Sequence, residues 1–342
     1  MLASQNLWGI SAAGLFALAL LVLSAEMAVK KLIGLSGYFR LSTTFMGVTV
    51  VSLATSIPEI TAHVMASLGI LRRTMDYKIG SSIVLGSNIG SDVVQQTLIL
   101  GLVVLISGAL RFHRYFLWKS MIPMIGTTVM CIVLGWDRTY SRLDGLILFG
   151  TFIAYTYYLY WDERKHYRPE DNGFGKAGEA PEGVPENGQQ AARYALITVV
   201  ALVIAVGSAA VVLEITETIV QRTGIGGSLI GVVTLGVASA LPEFVTAMSG
   251  VRNRDHGISL GTLVGSNITN PLVAIGGGAL LSTYWAPRPL LWWDLPWETA
   301  TGAILWAILW FTKGKLGKVG ALYLIGLYFA YVILRAVFFA VD

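Results

Sequence analysis

Apolar runs of about twenty residues, the length an α-helix needs to cross a bilayer, alternate along the chain with short clusters of Arg, Lys, Gly and Pro. Against the helical template the pattern predicts an all-α polytopic membrane protein of about ten spans. These are Leu7–Val29, Leu41–Ile70, Ile79–Ser107, Tyr115–Gly135, Leu143–Trp161, Tyr194–Val220, Gly227–Gly250, Ile258–Leu281, Trp297–Phe311 and Val319–Phe339. One stretch breaks the rhythm. "WDERKHYRPEDNGFGKAGEAPEGVPENGQQAAR", from Trp161 to Arg193, is polar, rich in Gly and Pro, and too poor in apolar residues to fold alone. It reads as a cytoplasmic linker, dividing the chain into a first unit at 1–161, the linker at 162–192 and a second unit at 193–342. The first span has no basic segment before it and no convincing cleavage site, so it reads as a retained helix.

Composition supports the same solvent. Of 342 residues, 55% are hydrophobic and 13% charged, and the mean hydropathy is +0.67, far from the quarter-charged make-up of a soluble domain. The net charge of +4 is small, so its distribution matters more. Loops predicted on one face carry Lys30, Lys31, Arg40, Arg111, Arg114, Lys119, Arg164, Lys165, Arg168, Lys176, Arg193, Arg252, Arg254, Lys313, Lys315 and Lys318; the opposite face has fewer, among them Arg72, Arg73, Lys78 and Arg138. The basic excess marks the cytoplasmic face and places both termini outside. Topology thus accounts for the basic clusters and no nucleic-acid role is needed. Cys131 is the one cysteine, which excludes an intrachain disulfide. With no organelle-targeting segment, a prokaryotic plasma membrane is the expected location.

The two units repeat one another. "GVTVVSLATSIPEIT" from Gly47 aligns without gaps on "GVVTLGVASALPEFV" from Gly231, matching Pro58 to Pro242 and Glu59 to Glu243. A second pair follows, "LGSNIGSD" from Leu85 and "VGSNITNP" from Val264. With five spans per unit the second copy enters the membrane from the opposite side, which defines inverted repeats, an architecture of secondary transporters.

The paired motifs carry chemistry. A proline inside a helix has no N–H to donate, so Pro58 frees the carbonyl of Ala54 and Pro242 that of Ala238. Such groups persist at membrane depth only inside protein or against a wet cavity. Glu59 and Glu243 add anionic oxygens, and Thr55, Ser56 and Ser239 neutral ones. A mid-membrane carboxylate needs a counter-charge, and the spans holding these glutamates offer no Lys or Arg near them. The cation is then the cargo. Carboxylates with hydroxyls and carbonyls suit Ca²⁺, and the absence of paired His or Cys argues against zinc or copper. One divalent ion, two Na⁺ or two protons would each neutralise the pair, the shared capacity an antiporter requires.

These doubled motifs, "ATSIPE" and "ASALPE" each followed by a "GSN" helix, resemble the two α-repeats of the calcium/cation antiporter superfamily, especially its sodium/calcium exchangers. The resemblance implies a central site made by the second, third, seventh and eighth helices. It makes Glu59 and Glu243 the principal cation ligands, with Thr55 and Ser239 contributing backbone carbonyls and Ser56 a hydroxyl. Ser87 and Ser266 would supply oxygens on the third and eighth helices, with Ser91 and Asn270 four residues on, on the same helical face. This chain departs from the pattern at Ala240, in place of a second hydroxyl, and at Ser91, in place of Asn or Asp. Asp92 adds a third carboxylate, either as a replacement ligand or facing a neighbouring helix with Gln95 and Gln96. His63, four residues after Glu59, would tune its proton affinity if the two meet.

The expected function is exchange of Ca²⁺ against Na⁺ by alternating access, with no cofactor; proton-driven exchange is the alternative. A channel is disfavoured by Pro-broken inverted repeats, and an enzyme by the lack of a nucleophile paired with a base. Glu26 and Glu217 read as interfacial, and "WAPRPLLWWDLPW" from Trp285 as an outer aromatic belt.

Overall fold

The computed structural model describes residues 7–38, 47–166, 184–252 and 256–342. The first residues of the second predicted span (41–46), most of the predicted linker (167–183), and Arg40, Arg168, Lys176 and Arg254 lie outside the described residues. Helical segments follow one another as α1 (Leu7–Tyr38), α2 (47–71), α3 (Tyr77–Ser107), α4 (Arg114–Leu134), α5 (Arg142–His166), α6 (Gly188–Thr223), α7 (Gly227–Arg252), α8 (256–282), α9 (290–311) and α10 (Lys318–Phe338). Among the described residues α3, α4, α6, α7 and α10 are each long and apolar enough to cross a membrane. A sixth span results if the two pieces of α2, Val48–Thr55 and Ile57–Leu71, are counted together across their 55° bend.

Helix ends follow local chemistry. Asp76 caps α3 by accepting from the Ile79 N–H at 2.9 Å, and Asn187 caps α6 by accepting from Gln190 N–H at 2.9 Å. Gly224, at φ +69°, closes α6 in the left-handed conformation that glycine adopts without strain. Several helices outrun the hydropathy pattern: α5 continues past Trp161 to His166, with Asp162 buried against Tyr115 and Lys119. The ninth segment departs most from expectation. Its helical turns begin at Leu290 rather than Trp297, and Leu290, Asp294 and Leu295 are buried. The belt reading therefore suits exposed Trp292 but not its neighbours, because Asp294, which interrupts the apolar run, is neutralised by Arg335 of α10, Nε to carboxylate at 3.0 Å.

Two short antiparallel ribbons mark opposite ends of the bundle. In one, β1 (Ala109–Arg111) pairs with β4 (Lys315–Gly317); in the other, β2 (Thr139–Tyr140) pairs with β3 (Tyr284–Trp285). Helix α4 leaves the β1·β4 ribbon and ends at β2·β3, whereas α9 leaves β2·β3 and ends at β1·β4. These two corresponding helices of the units thus run in opposite senses. Irregular turns repeat with the same correspondence: wide π-helical turns occupy Gly47–Val51 in α2 and Gly231–Leu235 in α7, Gln95–Ile99 in α3 and Asn270–Ile275 in α8, and Leu117–Met121 in α4 and Leu290–Asp294 in α9.

The core is woven across the units. Helix α3 packs along α7, and α8 along the first piece of α2. Glycine makes the α3–α7 contact possible: a Cβ on Gly86 would lie 2.4 Å from the Ser228 carbonyl oxygen, and one on Gly231 2.4 Å from that of Ile83. Helices α1 and α6 lie along each other at one side. Their buried Leu21, Ala205 and Ala209 form a small apolar cluster separate from the main core.

Candidate functional site

Both Pro-Glu motifs begin a helical piece just after a break. Ser56 (φ −76°, ψ 7°) interrupts α2 and Ala240 (φ −78°, ψ −4°) interrupts α7, so the two units repeat the backbone as well as the residues. Around the first break the Ser56 N–H donates to the Ser52 oxygen at 3.0 Å and the Ile60 N–H to the Ser56 oxygen at 2.9 Å; the equivalent bonds at Ala240 and Phe244 are 3.3 and 3.1 Å. Pro58 and Pro242 supply no donor between them. Glu59 and Glu243 consequently fall in the first turn of the resumed helix, where free N–H groups and the helix dipole favour negative charge.

The glutamates are buried, at 2% and 0% exposure. Their hydroxyl neighbours cross over between units: Ser239 of α7 stands beside Glu59 of α2, and Thr55 of α2, with Ser266 of α8, beside Glu243 of α7. Glu59 Oε1 accepts from Ser91 Oγ at 2.8 Å, and Ser91 in turn accepts from Gln95 Nε2 at 3.0 Å. Glu59 Oε2 and both oxygens of Glu243 have no hydrogen-bond partner. The Thr55 hydroxyl is committed elsewhere, to Ser52 O and Ser266 Oγ, each at 3.2 Å, while buried Ser56 Oγ has no partner. Among the described residues no lysine or arginine forms an ion pair with either glutamate, and no three His, Cys, Asp or Glu side chains converge. The centre is two carboxylates among neutral oxygens.

Ser87 and Ser239 line a cavity of about 20 Å³, room for about one water, together with Pro58 and with Leu18, Leu21 and Leu213 of the α1–α6 pair. Asn270 and Asp92 lie on the other side of Ser91: Asn270 Nδ2 donates to Asp92 Oδ1 at 2.6 Å. Of the expected site residues, Glu59, Glu243, Thr55, Ser56, Ser239, Ser266 and Ser91 gather at the paired breaks, Ser87 borders the cavity, and Asn270 and Asp92 form a flanking layer.

His63 does not meet Glu59. Its Nδ1 lies 3.2 Å from Tyr284 Oη, which donates to the His63 carbonyl at 2.9 Å and contacts Ser67 Oγ at 2.7 Å. Helical spacing put the two side chains on one face, but Tyr284 of β3, distant in sequence, takes the imidazole. Conversely, sequence reasoning missed Glu298 of α9, which is 1% exposed and lies 3.4 Å from Gln96 Nε2. A signal existed: "LWKSMIP" from Leu117 aligns with "LLWWDLP" from Leu290 on the shared proline, which places Glu298 opposite Ile125.

Repeated helices broken at membrane depth, with acids buried at the breaks, are an architecture of membrane cation antiporters. The chain belongs to the sodium/calcium exchanger protein family, whose pattern it matches over residues 11–161 and 193–337. It is 26% identical over 265 residues to the inner membrane protein YrbG of Escherichia coli (strain K12), covering 78% of each chain. In fold it is similar to the H⁺/Ca²⁺ exchanger CAX (TM-score 0.76, 15% identity, 95% of this chain and 82% of the other). It is also similar to the sodium-calcium exchanger NCX_Mj (TM-score 0.63, 20% identity, 96% and 99%).

Proposed function

We propose that this chain exchanges Ca²⁺ for Na⁺ at one central site held by Glu59 and Glu243, exposed alternately to the two sides of a prokaryotic plasma membrane. The observation that carries the reading is the pair of buried glutamates with three bare carboxylate oxygens and, among the described residues, no cationic side chain bound to them. A buried charge left in that condition is costly, and a bound cation removes the cost. Thr55 and Ser239 offer carbonyls, and Ser56, Ser87, Ser91 and Ser266 hydroxyls; Asn270 and Asp92 border this set toward α9. Such a set suits a hard cation of flexible coordination.

The ten helical segments are ten spans in this reading, with the N-terminus outside and units 1–161 and 193–342 joined by a cytoplasmic linker at 162–192. Helices α1 and α6 then slide across the remaining core to open either side. Their separate apolar cluster and the cavity between them and Pro58 support that division of labour. Proteoliposomes test it. Uptake of ⁴⁵Ca²⁺ should follow an opposed Na⁺ gradient and vanish in Glu59→Gln and in Glu243→Gln. Uptake that ignores Na⁺ and follows a pH gradient would replace Na⁺ by H⁺ as the driving ion; flux persisting in both variants would remove the central site.

A further inference from the structure

Beyond Glu59 lies a second pair of buried acids that the repeats do not duplicate. Asp92 follows Ser91 on α3, and Glu298 sits on α9; both are 1% exposed. Gln96, one turn after Asp92 on the same helix, reaches Glu298 Oε1 at 3.4 Å. Aligning the "GSN" motifs puts Pro271 opposite Asp92, just as Ile125 stands opposite Glu298. Both acids therefore occupy positions where the other unit has an apolar residue, so the pair is not a by-product of the internal repeat. Asp294, one turn before Glu298, is matched by Arg335 at 3.0 Å. Among the described residues Glu298 has no such ion pair.

The amide nitrogens around the two acids already have acceptors. Gln96 Nε2 donates to Asn267 Oδ1 at 2.7 Å and to Glu298 Oε1 at 3.4 Å, and Asn270 Nδ2 donates to Asp92 Oδ1 at 2.6 Å. What remains is a surplus of buried acceptors. Glu298 Oε2, Gln96 Oε1 and Asn270 Oδ1 have no partner, and Gln96 Oε1 is turned toward Gly302, the turn of α9 that follows Glu298. Buried polar atoms are almost always satisfied. Carboxylate and amide oxygens left without a partner match the oxygen-only preference of hard cations.

We propose that Asp92, Glu298, Gln96 and Asn270 form a second site for an oxygen-seeking metal cation, Na⁺ or Ca²⁺, next to the central pair. The inference rests on the cation-exchange reading but not on Glu59 or Glu243 being ligands. The amide chain of Gln95, Asn267 and Gln96, with Asn267 Nδ2 donating to Gln95 Oε1 at 2.9 Å, connects Ser91 to Glu298 and so joins the two sites.

Equilibrium dialysis of the purified full-length chain in detergent, against ²²Na⁺ and against ⁴⁵Ca²⁺, tests it. Glu298→Gln, which keeps the side-chain volume, should lower the number of bound ions by one for one of the two tracers, and that tracer identifies the ion. Glu298→Asp, which keeps the charge but retracts it, should retain the ion with at least tenfold weaker affinity. The double variant Glu59→Gln/Glu243→Gln should keep the ion that depends on Glu298. Ion binding by Glu298→Gln and Asp92→Asn equal to wild type for both tracers overturns the second site. Binding that survives in the double variant but is wholly lost in Glu298→Gln leaves the second site standing and removes the central one.

Discussion

The two Pro-Glu motifs share their sequence and their backbone angles, yet their carboxylates live differently. Glu59 is held by Ser91, itself held by Gln95, and its helix is bent by 55° at the break. Glu243 has neither oxygen bonded, and α7 continues as one span through its break. The repeat supplies two equivalent charges, and the residues around them make one positioned and one bare. A positioned carboxylate is oriented before the ion arrives, whereas a bare one gains its first partner from the ion. The difference predicts that Glu243 depends on bound cation more than Glu59 does.

Removing either charge should have the largest effect. Glu59→Gln and Glu243→Gln should each weaken Ca²⁺ binding by more than about 100-fold, beyond the loss typical of removing a ligand's supporting contact, as read by calorimetric titration. Thermal unfolding without added Na⁺ or Ca²⁺ should then separate them. Glu243→Gln removes a buried carboxylate with no partner and should be neutral or stabilising, since an unsatisfied buried group costs about 1–3 kcal/mol. Glu59→Gln trades a charge-assisted bond from Ser91 for a neutral one and should gain less. Equal shifts in the two variants would erase the distinction.

Next comes the seam that holds α3 against α7. Gly86→Ala and Gly231→Ala each drive a Cβ to 2.4 Å from a backbone oxygen that belongs to the facing helix. Each should cost about 1–3 kcal/mol, the usual cost of overpacking. The counterpart seam between α8 and α2 is looser, with Gly265 facing Ser52 Cβ and Val48 at 2.8 Å. Gly265→Ala should lower the unfolding temperature in detergent less than the other two; a larger drop would contradict the packing order.

A subtler asymmetry lies at Ser91. Ser91→Ala deletes the Glu59 bond and leaves Gln95 Nε2 without the acceptor it now uses. Positioning of this kind is worth about 10–100-fold in affinity at metal sites, and a tenfold rise in the Ca²⁺ concentration for half-maximal exchange is expected. Because Glu243 has no matching bond to lose, an equal effect from Ser266→Ala, which stands beside Glu243, would show that the hydroxyls act as ligands of equal standing and not through Glu59.

Much of this architecture could be read from the chain, and the reasons are physical. Apolar length reveals helices because the bilayer demands it, and a gap-free repeat of "PE" and "GSN" locates the central residues because both units solve one problem. What escaped notice depends on partners far apart in sequence. Asp294 fell within the stretch read as an outer aromatic belt, and only Arg335, 41 residues on, neutralises it. Glu298 went unread because nothing local tells that Gln96, 202 residues away, stands opposite. The difference between Glu59 and Glu243 was equally hidden, since it is made by Ser91 on another helix.

His63 gives the smallest expected effect. It lies one turn from Glu59 and has Ala247 as its counterpart in the second unit, so it is the most obvious place to look for an asymmetric response to pH. Its ring is instead packed edge-on to Tyr284 at 5.3 Å between centroids, and its Nδ1 faces the same tyrosine hydroxyl that bridges to Ser67. Among the described residues no carboxylate bonds the imidazole. Its role is to fix the β2·β3 end of the bundle against the second piece of α2. His63→Gln should therefore leave the pH profile of ⁴⁵Ca²⁺ uptake unshifted while destabilising the chain by about 1 kcal/mol, the worth of one buried hydrogen bond. Tyr284→Phe should do the same through the same contact. A displaced pH profile in His63→Gln that Tyr284→Phe fails to reproduce would return the imidazole to Glu59 and make protonation part of the difference between the two glutamates.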